Sequence, residues 1–456
     1  MQRIPAKETR PPLPQGPCLV VGLARSGQAA ARLLAARGER VRAVDSGHPE
    51  GAAGLEGAGV EVFLDTDGVA QLEGTRTVVK SPGVPREAPV IAAALERGIE
   101  VMGEMELAWR ALPNRFLAVT GTNGKTTTVE LIGHLYRSAG EPVAVAGNVG
   151  TALSELVGEV APETTIVCEC SSFQLEDTVA FAPECAVFLN LAPDHLDRHA
   201  DLESYLAAKL RIFANQGNDD VAVYNAADPF AAGADLGGCA RRLAFCHGAA
   251  PDCEVALAEG TIFYDGEPLV PVAELGLFGE HNVDNAMAAA AAALAMGVDR
   301  EAVVAGLRSF AGVPHRLEQV AEVDGIRFVN DSKATNVASA AVGIRAFEGG
   351  VHAILGGSEK GEPFAPLVEP LVERARACYL IGATAERMAR ELAPALAAGV
   401  ELHRCADLGD AVRRAAAAAT PGEVVLLSPA CASFDAFDNF ERRGDRFREL
   451  VRELEG

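Results

Sequence analysis

The segment Thr120-Gly-Thr-Asn-Gly-Lys-Thr-Thr127 has the residue types and spacing of a loop that holds nucleotide phosphates. Glycines such as Gly121 and Gly124 let backbone N–H groups turn toward an anion, and a following helix N-terminus adds positive potential. Lys125 supplies a mobile charge for the β- and γ-phosphates, and the Thr126 hydroxyl is a candidate Mg²⁺ ligand. The spacing departs from the common GxxxxGK[ST] pattern, because Val119 stands at the first glycine position. Its context supports the assignment. The apolar run Phe116 to Val119 precedes the loop, and Leu131, Ile132 and Leu135 mark one side of the helix that follows.

Two more residues suit the same chemistry. Thr165-Ile-Val-Cys-Glu169 reads as a strand ending in an acid, and parallel sheets present ligands at the carboxyl edge of their strands. Glu169 is therefore a candidate metal ligand. Lys209 lies in a predicted helix, Asp201 to Phe213, capped by Asp201. Its neighbours three and four positions away are Tyr205, Leu206, Ile212 and Phe213, so the lysine falls in the buried stripe. An ammonium stripped of water has a lowered pKa, and the neutral amine can take up CO₂ as a carbamate, an oxygen ligand for a hard metal. The plainer alternative is a buried stem with its charged head in water. In the loop Asn190 to His199, His195 and His199 have i, i+4 spacing, but no Cys or third His completes a zinc site. His195 lies nearer the preceding strand and is the better candidate for a Mg²⁺ site.

The elements that must position these residues are short apolar strands alternating with helices, the pattern of parallel sheets covered by helices. Strand Cys18 to Val21 leads into Gly22-Leu-Ala-Arg-Ser-Gly27 and a helix. Strand Val41 to Val44 ends at Asp45, and Thr77 to Val79 runs into Lys80-Ser-Pro-Gly83. A second unit begins at Phe116, with strands near Ile166, Val187 and Val221, and closes with a helix from about Asn282 to Met296. A third has strands near Phe328, Ile354, Leu380 and Val425 and a helix after Phe440. Turn signals at Pro113-Asn114 and Gly312-Val-Pro314 lie near the joins. The expectation is an α/β protein of three domains, with boundaries 1–103, 104–312 and 313–456.

A formal net charge of -23 argues against general binding to nucleic acid or anionic membranes. No segment reaches the roughly 18–20 apolar residues needed to span a bilayer. Met1 to Pro17 is polar and proline-rich, without a signal-peptide core. The ten cysteines form no CxxC pair and fit reduced thiols in a cytoplasmic protein. Of 40 lysines and arginines only six are lysines (Lys7, Lys80, Lys125, Lys209, Lys333, Lys360), so those retained are candidates for positions where a compact amine is required.

Taken together, the motifs resemble those of the Mur ligases of bacterial cell-wall synthesis, in order and along nearly the whole chain. They are Thr120 to Thr127, Glu169-Cys-Ser-Ser-Phe-Gln174, Asp194-His-Leu-Asp-Arg198, Ala208-Lys-Leu210, His281-Asn-Val-Asp-Asn285, Val313-Pro-His-Arg316, Asn330-Asp-Ser-Lys-Ala-Thr-Asn336 and Gly356-Gly-Ser-Glu-Lys-Gly361. Within the family, Ser428-Pro-Ala-Cys-Ala-Ser-Phe-Asp435, Asn439-Phe440 and Arg442-Arg-Gly444 resemble the D-glutamate-adding member.

The resemblance implies N- and C-terminal Rossmann-like domains flanking a central P-loop mononucleotide-binding domain. It implies a monomeric ATP-dependent ligase that uses two Mg²⁺ ions and an acyl phosphate, with UDP-N-acetylmuramoyl-L-alanine and D-glutamate as substrates. Gly121, Thr122, Asn123, Gly124, Lys125, Thr126, Thr127, Asn282, Arg316 and Asp331 would bind ATP. Thr126, Glu169, His195 and carbamylated Lys209 would hold metal, and Lys125, Glu169, His195 and Lys209 would be the catalytic set. Arg25, Ser26, Asp45, Ser46, Gly83, Asn148 and His195 would meet the UDP substrate. Lys333, Thr335, Lys360, Ser433 and Phe440 would surround D-glutamate. The alternative is a sister ligase, or a folylpolyglutamate-type enzyme, adding a different amino acid. Gly22 to Gly27 lacks the middle glycine of a dinucleotide fingerprint, and Gly47 stands where an arginine is expected, with Arg25 or His48 as substitutes.

Overall fold

Four-residue runs such as Cys18-Leu-Val-Val21 and Thr77-Val-Val-Lys80 are buried along their whole length, as strands covered by helices on both faces must be. The computed structural model describes residues 4–7, 9–148, 150–194, 198–248, 253–277, 280–359 and 361–454. The candidates His195 and Lys360 lie outside the described residues.

In the first sheet, β1 (Cys18–Val21), β2 (Val41–Val44), β3 (Glu61–Phe63), β4 (Thr77–Lys80) and β5 (Glu100–Gly103) are all parallel in the order β3-β2-β1-β4-β5. The order reverses between β1 and β4, which opens a crevice at their carboxyl ends. The helix Glu104–Ala111 then leads to the second sheet. Its buried Glu106 carboxylate accepts the N–H groups of Val179, Ala180 and Phe181, while Trp109 packs edge-on against Phe181 at 5.8 Å.

The second sheet contains β6 (Phe116–Thr120), β7 (Val143–Gly147), β8 (Thr165–Glu169), β9 (Cys185–Phe188), β10 (Val221–Asn225), β11 (Arg241–His247), β12 (Val255–Ala258), β13 (Thr261–Tyr264) and β14 (Glu267–Pro271). Their order is β14-β13-β12-β11-β10-β9-β6-β8-β7, with only the β12–β13 and β13–β14 pairs antiparallel. The sequence reading did not place the edge strands after β10. They turn at Glu259-Gly260 and Asp265-Gly266, four consecutive-pair residues with φ of 48°, 73°, 50° and 77°, the left-handed conformation of two-residue hairpin turns. Cys246 in β11 and Cys253 before β12 form a disulfide, with Cα atoms 6.2 Å apart. That corrects the expectation of ten free thiols: parallel pairing of Cys246 with Ala256 brings the two chain segments side by side.

The third sheet contains β15 (Glu318–Val323), β16 (Ile326–Asn330), β17 (Val351–Gly356), β18 (Ala375–Ile381), β19 (Glu401–Arg404) and β20 (Val424–Leu427). The order is β15-β16-β20-β17-β18-β19, parallel except for β15. The chain divides into two compact units, one up to Phe310 with the first two sheets and one from Ala311 with the third.

Candidate active site

Strand β6 delivers the chain to the carboxyl edge of its sheet, and two glycines turn it there. Gly121 has φ +150° and Gly124 φ +84°, and Gly124 opens the helix Lys125–Ser138. A Cβ on Gly124 would stand 2.2 Å from Asn285 Oδ1, so no side chain fits. Asn285 also accepts from Thr128 Oγ1 at 3.2 Å and donates to Asn282 Oδ1 at 3.0 Å. The helix Glu280–Ala295 thus buttresses the loop from behind. Asn190 holds the other limb, accepting from Thr122 N at 3.0 Å and, through Oδ1, from Asn123 N at 2.9 Å. Lys125 curls over this frame, its Nζ donating to the carbonyls of Gly121 (3.0 Å) and Thr122 (2.8 Å).

Glu169 ends β8, the neighbour of β6, and is 2 % exposed. Thr126 Oγ1 donates to its Oε2 at 2.8 Å, and Asn148 Nδ2 donates to its Oε1 at 3.0 Å. Gly147 makes this approach possible, because a Cβ there would meet the Glu169 carbonyl oxygen at 2.3 Å.

Lys209 sits in the helix Leu202–Leu210, which starts with a reciprocal cap between Asp201 and Ser204. The whole residue is 1 % exposed, so its head is buried with its stem and does not reach water. Nζ donates to Gly121 O at 2.7 Å and lies 4.4 Å from the centre of the Tyr205 ring. Burial, with the charge of Lys125 second, lowers its pKa to about 6. The sequence left two alternatives for this lysine, and the geometry selects the buried amine. His199 is not a free metal ligand: its Nε2 is 3.0 Å from Ser172 Oγ, its Nδ1 is 3.3 Å from Glu176, and its ring stacks on Phe173.

A cavity of about 320 Å³ opens at the crevice of the first sheet, lined among others by Gly22, Asp45, Ser46, Thr66, Asp67 and Gly83. Asp45 is fixed there, its Oδ2 accepting from Leu23 N at 2.6 Å and its Oδ1 from Gly47 N at 2.9 Å. Ser26 Oγ is 2.8 Å from Ser81 Oγ. Arg25 is not among the lining residues; its guanidinium donates to the carbonyl of Gly150. His48 is also absent from the walls, being exposed and 2.6 Å from Asp65.

In the second compact unit Asp331 follows β16 and is 5 % exposed. It accepts from Ser428 Oγ at 2.8 Å and Leu317 N at 3.2 Å, and burial raises its pKa to about 7. The flanking His315 and Leu317 hold φ of 63° and 44°, strained values that put Arg316 on an irregular turn. Lys333 N donates to His315 O, Thr335 N to Lys333 O, and the Phe440 ring meets His315 edge-on at 6.1 Å. The Ser433 hydroxyl is buried without a hydrogen-bond partner among the described residues, as a ligand-facing group would be. Arg443, singled out in the sequence only as part of a motif, is 1 % exposed and donates to Ser332 Oγ and O and to the carbonyls of Cys431 and Ala432. It ties the Asp331–Thr335 loop to the Cys431–Ser433 loop.

Family models cover most of this architecture. The Mur ligase MurD-like N-terminal domain matches residues 17–103, the Mur ligase middle domain 119–293, and the Mur ligase glutamate ligase domain 315–431. Among curated relatives, the UDP-N-acetylmuramoylalanine–D-glutamate ligase of Anaeromyxobacter dehalogenans is 46% identical, over 95% of this chain and 97% of that protein. The enzymes of the same name from Pelotomaculum thermopropionicum (43%, 96% and 97% covered) and Acidobacterium capsulatum (42%, 95% of each) are similar. The solved structure of UDP-N-acetylmuramate-alanine ligase MurC from Thermotoga maritima shares the fold, with a TM-score of 0.56 at 19% identity over 96% of this chain and 99% of that one. Three consecutive domain matches and full-length relatives above 40% identity show that this chain belongs to the Mur ligase family.

Proposed function

We propose that this chain joins D-glutamate to UDP-N-acetylmuramoyl-L-alanine, using ATP to activate the carboxylate as an acyl phosphate. One observation carries the reading: the phosphate loop, Glu169 and the buried amine of Lys209 converge on a single strand edge.

A carboxylate resists an amine because its carbon is electron-rich and oxide is a poor leaving group. Transfer of the γ-phosphoryl group to the carboxylate supplies a better one, inorganic phosphate. Lys125, released from the Gly121 and Thr122 carbonyls, would follow the transferring phosphoryl group and offset its charge. The oxygens of Thr126 and Glu169 are a hard donor pair suited to Mg²⁺. Bound there, Mg²⁺ would screen the phosphate charge that otherwise repels the carboxylate. Lys209, neutral near pH 7, would add an oxygen ligand as its carbamate. The D-glutamate amine then attacks the acyl carbon, and phosphate departs from the tetrahedral intermediate. Lys333, Thr335, Ser433 and Phe440, with Lys360, would hold the amino acid. Asn282, Arg316 and Asp331 would hold the nucleoside, and the crevice with Asp45, Ser46 and Gly83 the uridine end of the acceptor.

We also propose domain limits at 1–103, 104–312 and 313–456, a monomeric enzyme and a cytoplasmic location. None of the described helices is long and apolar enough to cross a membrane. The test is phosphate release with UDP-N-acetylmuramoyl-L-alanine, ATP and candidate amino acids. D-glutamate should be preferred at least 100-fold over L-alanine and L-lysine, and equal turnover would remove the assignment. Oxygen labelled in the acceptor carboxylate should appear in the released phosphate.

A further inference from the structure

Lys80 is one of the six lysines and plays no part in the chemistry above. It ends β4, and its side chain is 1% exposed. Nζ donates to the carbonyl of Val84 at 2.6 Å and lies 2.7 Å from Asp177 Oδ2, whose side chain is 3% exposed. These two partners belong to different parts of the compact unit. Val84 and Gly83 line the cavity of the first sheet. Asp177 follows the short helix Ser172–Leu175, which begins three residues after Glu169.

The connection continues on the far side. Arg211 Nε donates to the carbonyl of Leu175 at 2.9 Å, and its guanidinium also reaches the carbonyl of Thr178. Arg211 is the C-cap of the helix that carries Lys209. The backbone of Asp177 is itself fixed, its carbonyl accepting from Gly103 N at 2.9 Å. From the cavity wall to the Lys209 helix, Lys80, the backbone of residues 175–178 and Arg211 therefore follow one another, and among the described residues Lys80 is the charged group bonded to the Val84 carbonyl.

Resting on the functional reading above, we infer that Lys80, held by Asp177, is a positioning residue for the UDP end of the acceptor. It fixes the Ser81–Val84 turn against the middle sheet, so that the nucleotide seated in the crevice presents its far end in register with the phosphate loop. Two buried charges are a costly way merely to glue surfaces, since an apolar pair of similar volume often serves stability as well or better. Packing alone does not require the second bond, to Val84 O.

The apolar double variant Lys80→Met/Asp177→Leu separates the two roles. It keeps the packing and removes the charge and the Val84 bond. With the full-length enzyme, its KM for UDP-N-acetylmuramoyl-L-alanine should rise at least 10-fold while its KM for ATP stays within 2-fold. The isosteric Asp177→Asn, which spares the Val84 bond but loosens Lys80, should show the same split at roughly 3-fold and serves if the double variant misfolds. An unchanged KM for the UDP substrate, or a parallel rise in both constants, would overturn the inference. Calorimetry with UDP-N-acetylmuramoyl-L-alanine on the unmodified chain tells the two readings apart: no binding there removes the functional assignment, whereas binding that the variants leave untouched removes only the role of Lys80.

Discussion

Lys209 Nζ stands 2.7 Å from the carbonyl oxygen of Gly121, the same oxygen that Lys125 Nζ reaches at 3.0 Å. The two ammonium groups thus crowd one acceptor, and one of them is fully buried. Burial first, and the neighbouring charge of Lys125 second, lower the pKa of Lys209 to about 6.

From this follows a chemical test. Replacing Lys209 by alanine should lower turnover at least 100-fold, and a short carboxylic acid in the buffer should restore part of it by supplying the missing oxygen ligand. Labelled bicarbonate should give a carbamate carbon signal in the unmodified enzyme that is absent from the variant. Full activity of Lys209→Ala in CO₂-free buffer would end this account.

The same burial has a stability consequence whose sign is fixed. The folded pKa is about 6 and the free side chain's is 10.5, so between these values the unfolded chain binds more protons than the folded one. Stability from this group rises with pH across that window and is lowest, and constant, below about 6. In CO₂-free buffer Lys209→Met should be more stable to unfolding than the unmodified chain at pH 7, by on the order of a few kcal/mol. The gap should close as the pH approaches 10. A gap that widens with pH would show that the amine is charged in the folded protein.

Asp331 runs the opposite way. Its folded pKa of about 7 lies above the ordinary aspartate value of 3.8, so the unfolded chain binds fewer protons in that interval and stability falls as pH rises through it. Asp331→Asn carries no such penalty, and its advantage in melting temperature should grow from pH 4 to pH 7 and then level off. Parallel curves for the two proteins would show an ordinary carboxylate at this position.

Gly124→Ala tests the frame of the phosphate loop. The left-handed φ of 84° costs a residue with a Cβ about 1 kcal/mol, and the Asn285 amide lies 2.2 Å from where that Cβ would be. Asn285 must then move and release Thr128 or Asn282. We expect a KM for ATP raised 10-fold or more and a melting point lowered by several degrees, both read on the same preparation.

How much of this was legible in the sequence depends on whether a residue's surroundings are local. The phosphate loop could be read because strand, turn and helix are contiguous. Glu169 could be read because it ends a strand, and Lys209 because its neighbours at three and four positions are apolar. Asn285 and Asn190 could not be given their roles in holding the loop, since their partners lie up to 157 residues away. The resemblance implies a UDP-substrate role for Arg25, but nothing in the sequence shows that its guanidinium crosses to Gly150, in the second domain. No periodicity carries that information. Strands β11 to β14 were missed because β11, β12 and β14 lack regular alternation, although Asp265-Gly266 is itself a hairpin signal.

The segment before β1 has a mechanical meaning. Lys7 reaches Glu184 and Asp220 at the start of β9 and β10, and Arg10 reaches the carbonyls of Trp109 and Asn114. The chain is thus moored to the second sheet before it enters the first, and moored again by Glu106 as it leaves. With Lys80 against Asp177 and Arg25 on the Gly150 carbonyl, the first sheet is held to the second along its face as well as at both of its covalent ends.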